Sequence, residues 1–339
     1  MARMLDARQA AQALSGYIRC CMLPFSSEIS PQCLGTLQLR AGQHPQGRTH
    51  LSAASGLVRS GSTLYVVADD ELHLGVFEDA VAAGVPPAPG HLLQLLEGDL
   101  PRDAVQRKKA KPDFEALAHL PPLPGCAAGA LLALGSGSLP QRETAVLLAL
   151  ADAGQLHGRK TIVSLSALYA PLRKRFADVN IEGVWVANGE LHLLQRGNKG
   201  DARSACIRYD WNVAAPWLVG LRTQPPAIQS VQVLDLGAVD GVPLSLTDGV
   251  PLQGGEWMFS AVAEDTRDSV VDGVCVASAL GVVAADGQVR CLMRLQGAPK
   301  VEGIAVQTDG GDWRVTMVTD PDDPAVASQL LTVRLPRVA

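Results

Sequence analysis

Short apolar runs broken by turn residues fill most of this chain, and they recur in groups. Between positions 55 and 96, strands are expected at 56–58, 64–67, 72–77 and 91–96. They are separated by Gly61-Ser62, by Asp69-Asp70 and by a longer connection. Four short strands with turn signals between them read as one antiparallel sheet. The plan returns at 114–118, 130–134, 145–150 and 161–165, and again at 184–186, 191–194, 205–209 and 228–234. In that third group Asn188-Gly189 is a strong hairpin signal. A fourth group spans 242–246, 257–262, 274–276 and 289–295, and a fifth has only 304–306, 314–318 and 329–335.

Each group opens on one pattern: a polar residue, a small residue, then a branched apolar one. The instances are Ser55-Gly56-Leu57, Glu115-Ala116-Leu117, Glu182-Gly183-Val184, Asp240-Gly241-Val242 and Glu302-Gly303-Ile304, 58–67 residues apart. A period of that length marks a repeat architecture. The fifth group lacks a fourth strand, and a strand-like run at 34–39 precedes the first. An N-terminal strand completing the last sheet would close a ring and remove exposed edges. The pattern therefore predicts an all-β chain: a single β-propeller of five four-stranded blades. Six blades is the alternative, if residues 81–107 hide further strands. A parallel α/β fold is excluded by the lack of amphipathic helical segments between strands, only 166–176 reading as helical. The propeller is expected over residues 34–339. Residues 1–33 are expected as a poorly ordered extension, with a short helix at 10–14.

Composition narrows the partners. Of 339 residues, 47% are apolar, and the net charge is −5. That balance argues against nucleic acid, which wants a basic face. The one basic run, Arg107-Lys108-Lys109-Ala110-Lys111, reads as a solvated or anion-attracting loop. No apolar run is long enough to cross a membrane. Seven cysteines, Cys20 and Cys21 adjacent and five scattered, show no metal spacing and fit a reducing compartment, so a cytoplasmic monomer is expected, with secretion or the periplasm as the lesser alternative. Trp185, Trp257 and Trp313 recur with the blade pattern and read as packing between blades.

Propeller geometry turns the repeat into a site. The start of each first strand and the end of each second strand share one channel mouth. The starts supply Ser55, Glu115, Glu182, Asp240 and Glu302. The ends supply Asp69, Asp70, Ser136, Ser138, Arg196, Asn198, Glu264, Asp265 and Asp320. Two carboxylates about 4 Å apart repel by roughly 4 kcal/mol at an effective dielectric near 20. Converging acids must therefore be protonated, paired with Arg196, Lys111 or Lys300, or gathered around a cation. Calcium is the ion such an oxygen ring suits. In the competing reading, each acid accepts from a backbone N–H of the neighbouring blade and is structural. No nucleophile elbow, H-E-x-x-H or phosphate loop is present.

The stretches Ser55–Leu57 with Tyr65–Asp70, Asn180–Gly183, Leu194–Asn198 and Val262–Thr266 resemble a bacterial family of β-propeller proteins of the domain-of-unknown-function kind. They are more remotely similar to phytase-like esterase domains and calcium-activated apyrases. The resemblance spans roughly residues 50–335 and implies channel-mouth acids and, from the apyrases, calcium. Two functions follow as expectations. In one, a calcium-dependent hydrolase of phosphate or other esters holds the ion with Glu115, Glu182, Asp240 and Glu302. Arg196 and Lys111 then take developing negative charge, and Glu182 and Arg196 are the catalytic pair. In the other, a non-catalytic propeller binds a small molecule or peptide at the mouth through Ser55, Asp69, Asp70, Lys111, Asn198, Glu264, Asp265 and Asp320.

Overall fold

The computed structural model describes residues 25–151, 154–198, 201–265 and 273–337. Two short N-terminal strands come first, β1 (Ser27–Ile29) and β2 (Gln32–Thr36). Blade I is β3 (Ala54–Ser60), β4 (Thr63–Ala68), β5 (His73–Glu78) and β6 (His91–Gln94). Blade II is β7 (Phe114–Leu120), β8 (Ala130–Gly135), β9 (Thr144–Leu150) and β10 (Leu156–Ser164). Blade III is β11 (Ile181–Ala187), β12 (Glu190–Gln195), β13 (Ser204–Asp210) and β14 (Ile228–Leu234). Blade IV holds β16 (Val242–Pro251), β17 (Trp257–Asp265), β18 (Val274–Val283) and β19 (Val289–Leu295), with β15 (Ala238–Val239) beside β16. Blade V is β20 (Val301–Asp309), β21 (Asp312–Thr319) and β22 (Gln329–Pro336). Its fourth strand is β2, antiparallel to β22. The blades number five, and residues 81–107 add only β6, a 3-10 turn and a short helix, Ala104–Ala110.

The closure predicted near 34–40 thus falls at Gln32–Thr36. It is reinforced by β1, which lies parallel to β19 at the outer edge of blade IV. Residues 25–33 are therefore bound into two blades rather than forming an extension. The expected helix at 10–14 lies outside the described residues. A second unforeseen helix, Trp211–Leu218, packs its Ala214, Trp217 and Leu218 into the core between blades II and III.

The core lies between adjacent blades, as the tryptophans suggested. Trp185 and Trp257 pack with ring centroids 5.1 Å apart across the blade III–IV boundary, and Trp313 is buried under blade V. The five inner strands, β3, β7, β11, β16 and β20, neighbour one another in a closed ring.

Each inner strand carries a β-bulge where its pairing with the second strand slips by one residue. The extra residue is Ser55, Glu115, Glu182, Thr247 or Glu302. A bulge re-aims one side chain and is common beside functional sites. The small residue that follows has a steric cause. A Cβ on Gly56 would stand 2.9 Å from Leu117 N, and one on Gly303 would stand 2.9 Å from Leu57 N. Only the smallest side chains let neighbouring inner strands approach so closely.

Blade IV corrects the sequence reading. Asp240 and Gly241 form the β15–β16 turn, with φ of 50° and 82°, and Asp240 is exposed. Asp-Gly is itself a hairpin signal, so it imitated the repeat pattern seven residues too early. The bulge position belongs to Thr247. Asp248 follows it, and its carboxylate accepts from Gly249 N at 2.7 Å and from Ile304 N of blade V at 2.8 Å.

Candidate functional site at the channel mouth

Three bulge glutamates, Glu115, Glu182 and Glu302, stand on blades II, III and V. Two residues before each stands another polar side chain: Asp113, Asn180 and Lys300. These pairs build the mouth.

On the side of blades I and II, Lys111 is the centre. Its ammonium lies 2.8 Å from Asp113 Oδ1 and also pairs with Asp69. Asp113, in the left-handed region at φ 58°, is fully engaged. Its Oδ2 accepts from Arg142 Nη1 at 2.8 Å and from Ser136 Oγ at 2.5 Å. Oxygens of Asp69, Asp113 and Glu115 all lie within 4.8 Å of one another, the one such acidic trio among the described residues. Burial opposes ionisation of Asp113, but Lys111 and Arg142 outweigh it and hold its carboxyl below the usual range. Asp69 goes the other way. Burial raises it to about 6 against the pull of Lys111. Glu115 is pushed well up by burial, with Glu182, Asp113 and Asp69 adding to it.

On the side of blades III to V, Arg196 and Lys300 are the centres. Arg196 Nη2 lies 2.6 Å from Glu264 Oε2, and its Nη1 lies 3.5 Å from both Glu182 Oε1 and Glu302 Oε1. Glu182 also accepts from Asn180 Nδ2 at 2.5 Å. Lys300 Nζ lies 2.5 Å from Asp322, 3.6 Å from Asp320, 3.7 Å from Glu302 and 3.9 Å from Glu264. Burial lifts Glu182 to about 8, with Glu302 adding to the rise and Arg196 opposing it. Burial raises Glu302 as well, despite Arg196 and Lys300.

Glu302 is the anomaly. It is only 3% exposed, and neither carboxylate oxygen has a hydrogen-bond donor among the described residues. Buried polar atoms are nearly always satisfied, so an exception calls for a cause.

The predicted set thus divides. Glu115, Glu182, Glu302, Asp69, Lys111, Arg196, Glu264 and Asp320 converge on the mouth. Asp70 turns aside to Arg48 and Arg107, each at 3.0 Å. Ser55 Oγ donates to Ala53 O at 3.0 Å and is closed locally. Asn198 braces its own loop, exchanging contacts with Asp201, and Asp265 is exposed at the end of β17. Asp240 is remote from the ring for the reason given above. Sequence reasoning missed Asp113, Arg142 and Asp322. The polar residue two before each bulge glutamate was the available signal for Asp113. The alternative role for the acids, as acceptors of neighbouring backbone N–H groups, is met at Asp248 and not at the three bulge glutamates.

The model of a family of unknown function (DUF6910) matches residues 107–324. No curated protein matches the chain. Among solved structures, the catalytic domain of a GH62 α-L-arabinofuranosidase from Coprinopsis cinerea is 12% identical with a TM-score of 0.48. That match covers 93% of this chain and 99% of that one. Regucalcin, a calcium-binding protein from Agrobacterium tumefaciens, is 11% identical with a TM-score of 0.43, covering 92% and 97%. Likenesses this distant say nothing of activity. No helix among the described residues is long and apolar enough to cross a membrane.

Proposed function

We propose that this chain, which belongs to the family of unknown function DUF6910, is a propeller that binds a divalent cation at its channel mouth. The observation that carries this reading is Glu302, buried with both oxygens lacking a hydrogen-bond donor among the described residues. Around it the acids outnumber their partners. Among the described residues, Asp69, Asp113, Glu115, Glu182, Glu264, Glu302 and Asp320 share Lys111, Arg142, Arg196 and Lys300. Such an excess is relieved by protons or by a cation. The donors are all oxygen, which suits calcium better than a nitrogen- or sulfur-seeking metal. Asp69, Asp113 and Glu115 would hold the ion, and Glu182 and Glu302 would complete the field around it.

Ester hydrolysis is the finer reading of the same site. A bound cation would supply an activated water. Glu182, which burial lifts to about 8 in the cation-free protein, is the candidate to carry a proton. Arg196 is committed to three carboxylates, so here it orients acids rather than clamping an anion. That commitment favours the binding role, with a small molecule or peptide completing the ion's coordination, over the hydrolase.

The test is calorimetric titration of chelator-stripped protein with calcium, magnesium and manganese, alongside thermal melts. Saturation at about 100 times the dissociation constant stabilises the fold by roughly 2.7 kcal/mol. Absence of binding heat together with a cation-independent melting temperature overturns the reading. Turnover of phosphate esters in the loaded protein separates the hydrolase from the binding propeller.

A further inference from the structure

The acidic trio already contains a cation of the chain's own. Lys111 is 8% exposed, and its ammonium contacts Asp69 and Asp113 from within the cluster that Glu115 completes. An ion coordinated by those three carboxylates and this ammonium cannot occupy the same space.

The backbone that delivers Lys111 is firmly held. Lys111 ends the short helix Ala104–Ala110, its N–H donating to Arg107 O at 2.8 Å. Arg142 Nη2 donates to Lys108 O at 2.8 Å, and Gln141 Nε2 to Lys109 O at 2.9 Å. Arg107 and Lys111 are four residues apart, so they share one face. They reach down to consecutive carboxylates, Arg107 to Asp70 and Lys111 to Asp69. Arg107 is further fixed through Pro101 O at 3.0 Å. The fixed arginine sets the register, and the lysine is the movable prong. Its four-carbon stem can swing the ammonium outward while the helix stays in place.

We propose that Lys111 is a built-in competitor that occupies the cation site and leaves it when a divalent ion binds. This rests on the cation reading above and adds its selectivity. A monovalent ion carries no more charge than the ammonium it must displace. The tethered ammonium is also always at hand, so a free ion of equal charge gains nothing by displacing it. A divalent ion doubles the attraction to all three carboxylates. The site should therefore answer to divalent ions and ignore sodium and potassium.

The experiment compares wild type with Lys111→Met, which keeps the stem and removes the charge. Calcium is titrated calorimetrically into both. Lys111→Met is expected to bind at least tenfold more tightly. In a second arm, wild type is treated with an amine-acetylating reagent, and modified peptides are quantified by mass spectrometry. Calcium should expose Lys111 and speed its acetylation several-fold, leaving the exposed Lys174 unchanged. Equal affinity in both proteins with unaltered Lys111 labelling overturns the competitor while leaving the cation site standing. Failure of both proteins to bind any divalent ion removes the cation reading, and the competitor with it. If Lys111→Met does not fold, the labelling of wild type decides alone.

Discussion

Blades I and IV differ from blades II, III and V at one residue of the same backbone device. All five inner strands bulge at the channel mouth, yet the bulged residue is Ser55 or Thr247 in the first group and a glutamate in the second. A hydroxyl has a proton to give, so it closes on the nearest carbonyl. Ser55 donates to Ala53 O at 3.0 Å. Thr247 donates to Val301 O at 2.7 Å, with Ser260 Oγ 2.8 Å away. An ionised carboxylate has none, so it must find donors in the channel. Glu182 finds Asn180 and Arg196, whereas Glu302 has only long ion pairs with Arg196 and Lys300 and no hydrogen-bond donor among the described residues. Identical bulges therefore do different work. Blade I closes its hydroxyl on its own segment, blade IV ties its hydroxyl to blade V, and the carboxylate blades pass an unmet demand for positive charge to the mouth.

The largest effect should come from removing the positive charge that the carboxylate blades share. Arg196→Met leaves Glu182, Glu264 and Glu302 without their common partner. Breaking a buried ion pair from one side costs about 3–5 kcal/mol, expected in full at pH 9 by urea unfolding. At pH 5 the loss should shrink, because the stranded acids take up protons. A loss independent of pH would mean that Arg196 acts through packing. In the hydroxyl group, Thr247→Val should cost about 1–3 kcal/mol by leaving Val301 O unsatisfied. That loss should be the same at both pH values, since no titrating group is involved.

The contrast between blade groups was only half legible in the sequence. The period, the hairpin at Asn188-Gly189 and the closing N-terminal strand follow from local pattern. So does the small residue after the bulge on blades I, II, III and V, whereas on blade IV Asp248 takes that place. Thr247 escaped because a threonine in an apolar strand carries no signal of its own, while Asp240-Gly241 nearby offered a better textual match. Lys111 with Asp69, and Arg196 with Glu264, join residues 42 and 68 apart. Such pairings depend on which blade ends meet, which no local spacing records. β1 was lost for a related reason: a three-residue parallel strand has no pattern to detect and forms only because β19 offers an edge.

Acidity offers an intermediate test. Glu182 stands at about 8 and Asp69 at about 6, against ordinary values of 4.5 and 3.8. A raised acid binds protons in the fold that it releases when unfolded. Its stabilising contribution is thus complete below the ordinary value and is lost as pH rises through the folded one. Cation-free protein should therefore melt at progressively lower temperature from pH 5 to pH 9. Glu71, held at about 2 by His44 and His73 against its own burial, acts in the opposite sense. Its contribution is present above about pH 4.5 and is lost as pH falls toward 2, a window that lies below the pH 5 to pH 9 range of the first test. Calcium competes with the mouth protons, so its apparent affinity should climb between pH 6 and pH 9, and saturating calcium should flatten the decline. Parallel melting curves with and without calcium would show that the raised acids and the ion occupy different places.

The smallest change in cation-free stability should come from the residue on which the cation reading stands. Glu302→Gln removes a carboxylate that no donor satisfies. Arg196 keeps Glu182 and Glu264, and Lys300 keeps Asp320 and Asp322. Less repulsion offsets the lost attraction, so the shift should stay within about 1 kcal/mol and lean toward stabilisation at high pH. The same substitution should clearly reduce the stabilisation of roughly 2.7 kcal/mol expected from saturating calcium, because it takes one full charge from the field around the ion. Ser55→Ala, at the equivalent bulge of a hydroxyl blade, should leave the calcium response as it was. Had Glu302 been a structural acceptor, its amide would lower cation-free stability by about 1–3 kcal/mol and leave the calcium response untouched. Melting curves of these two variants, each with chelator and with calcium, separate the two blade groups by sign.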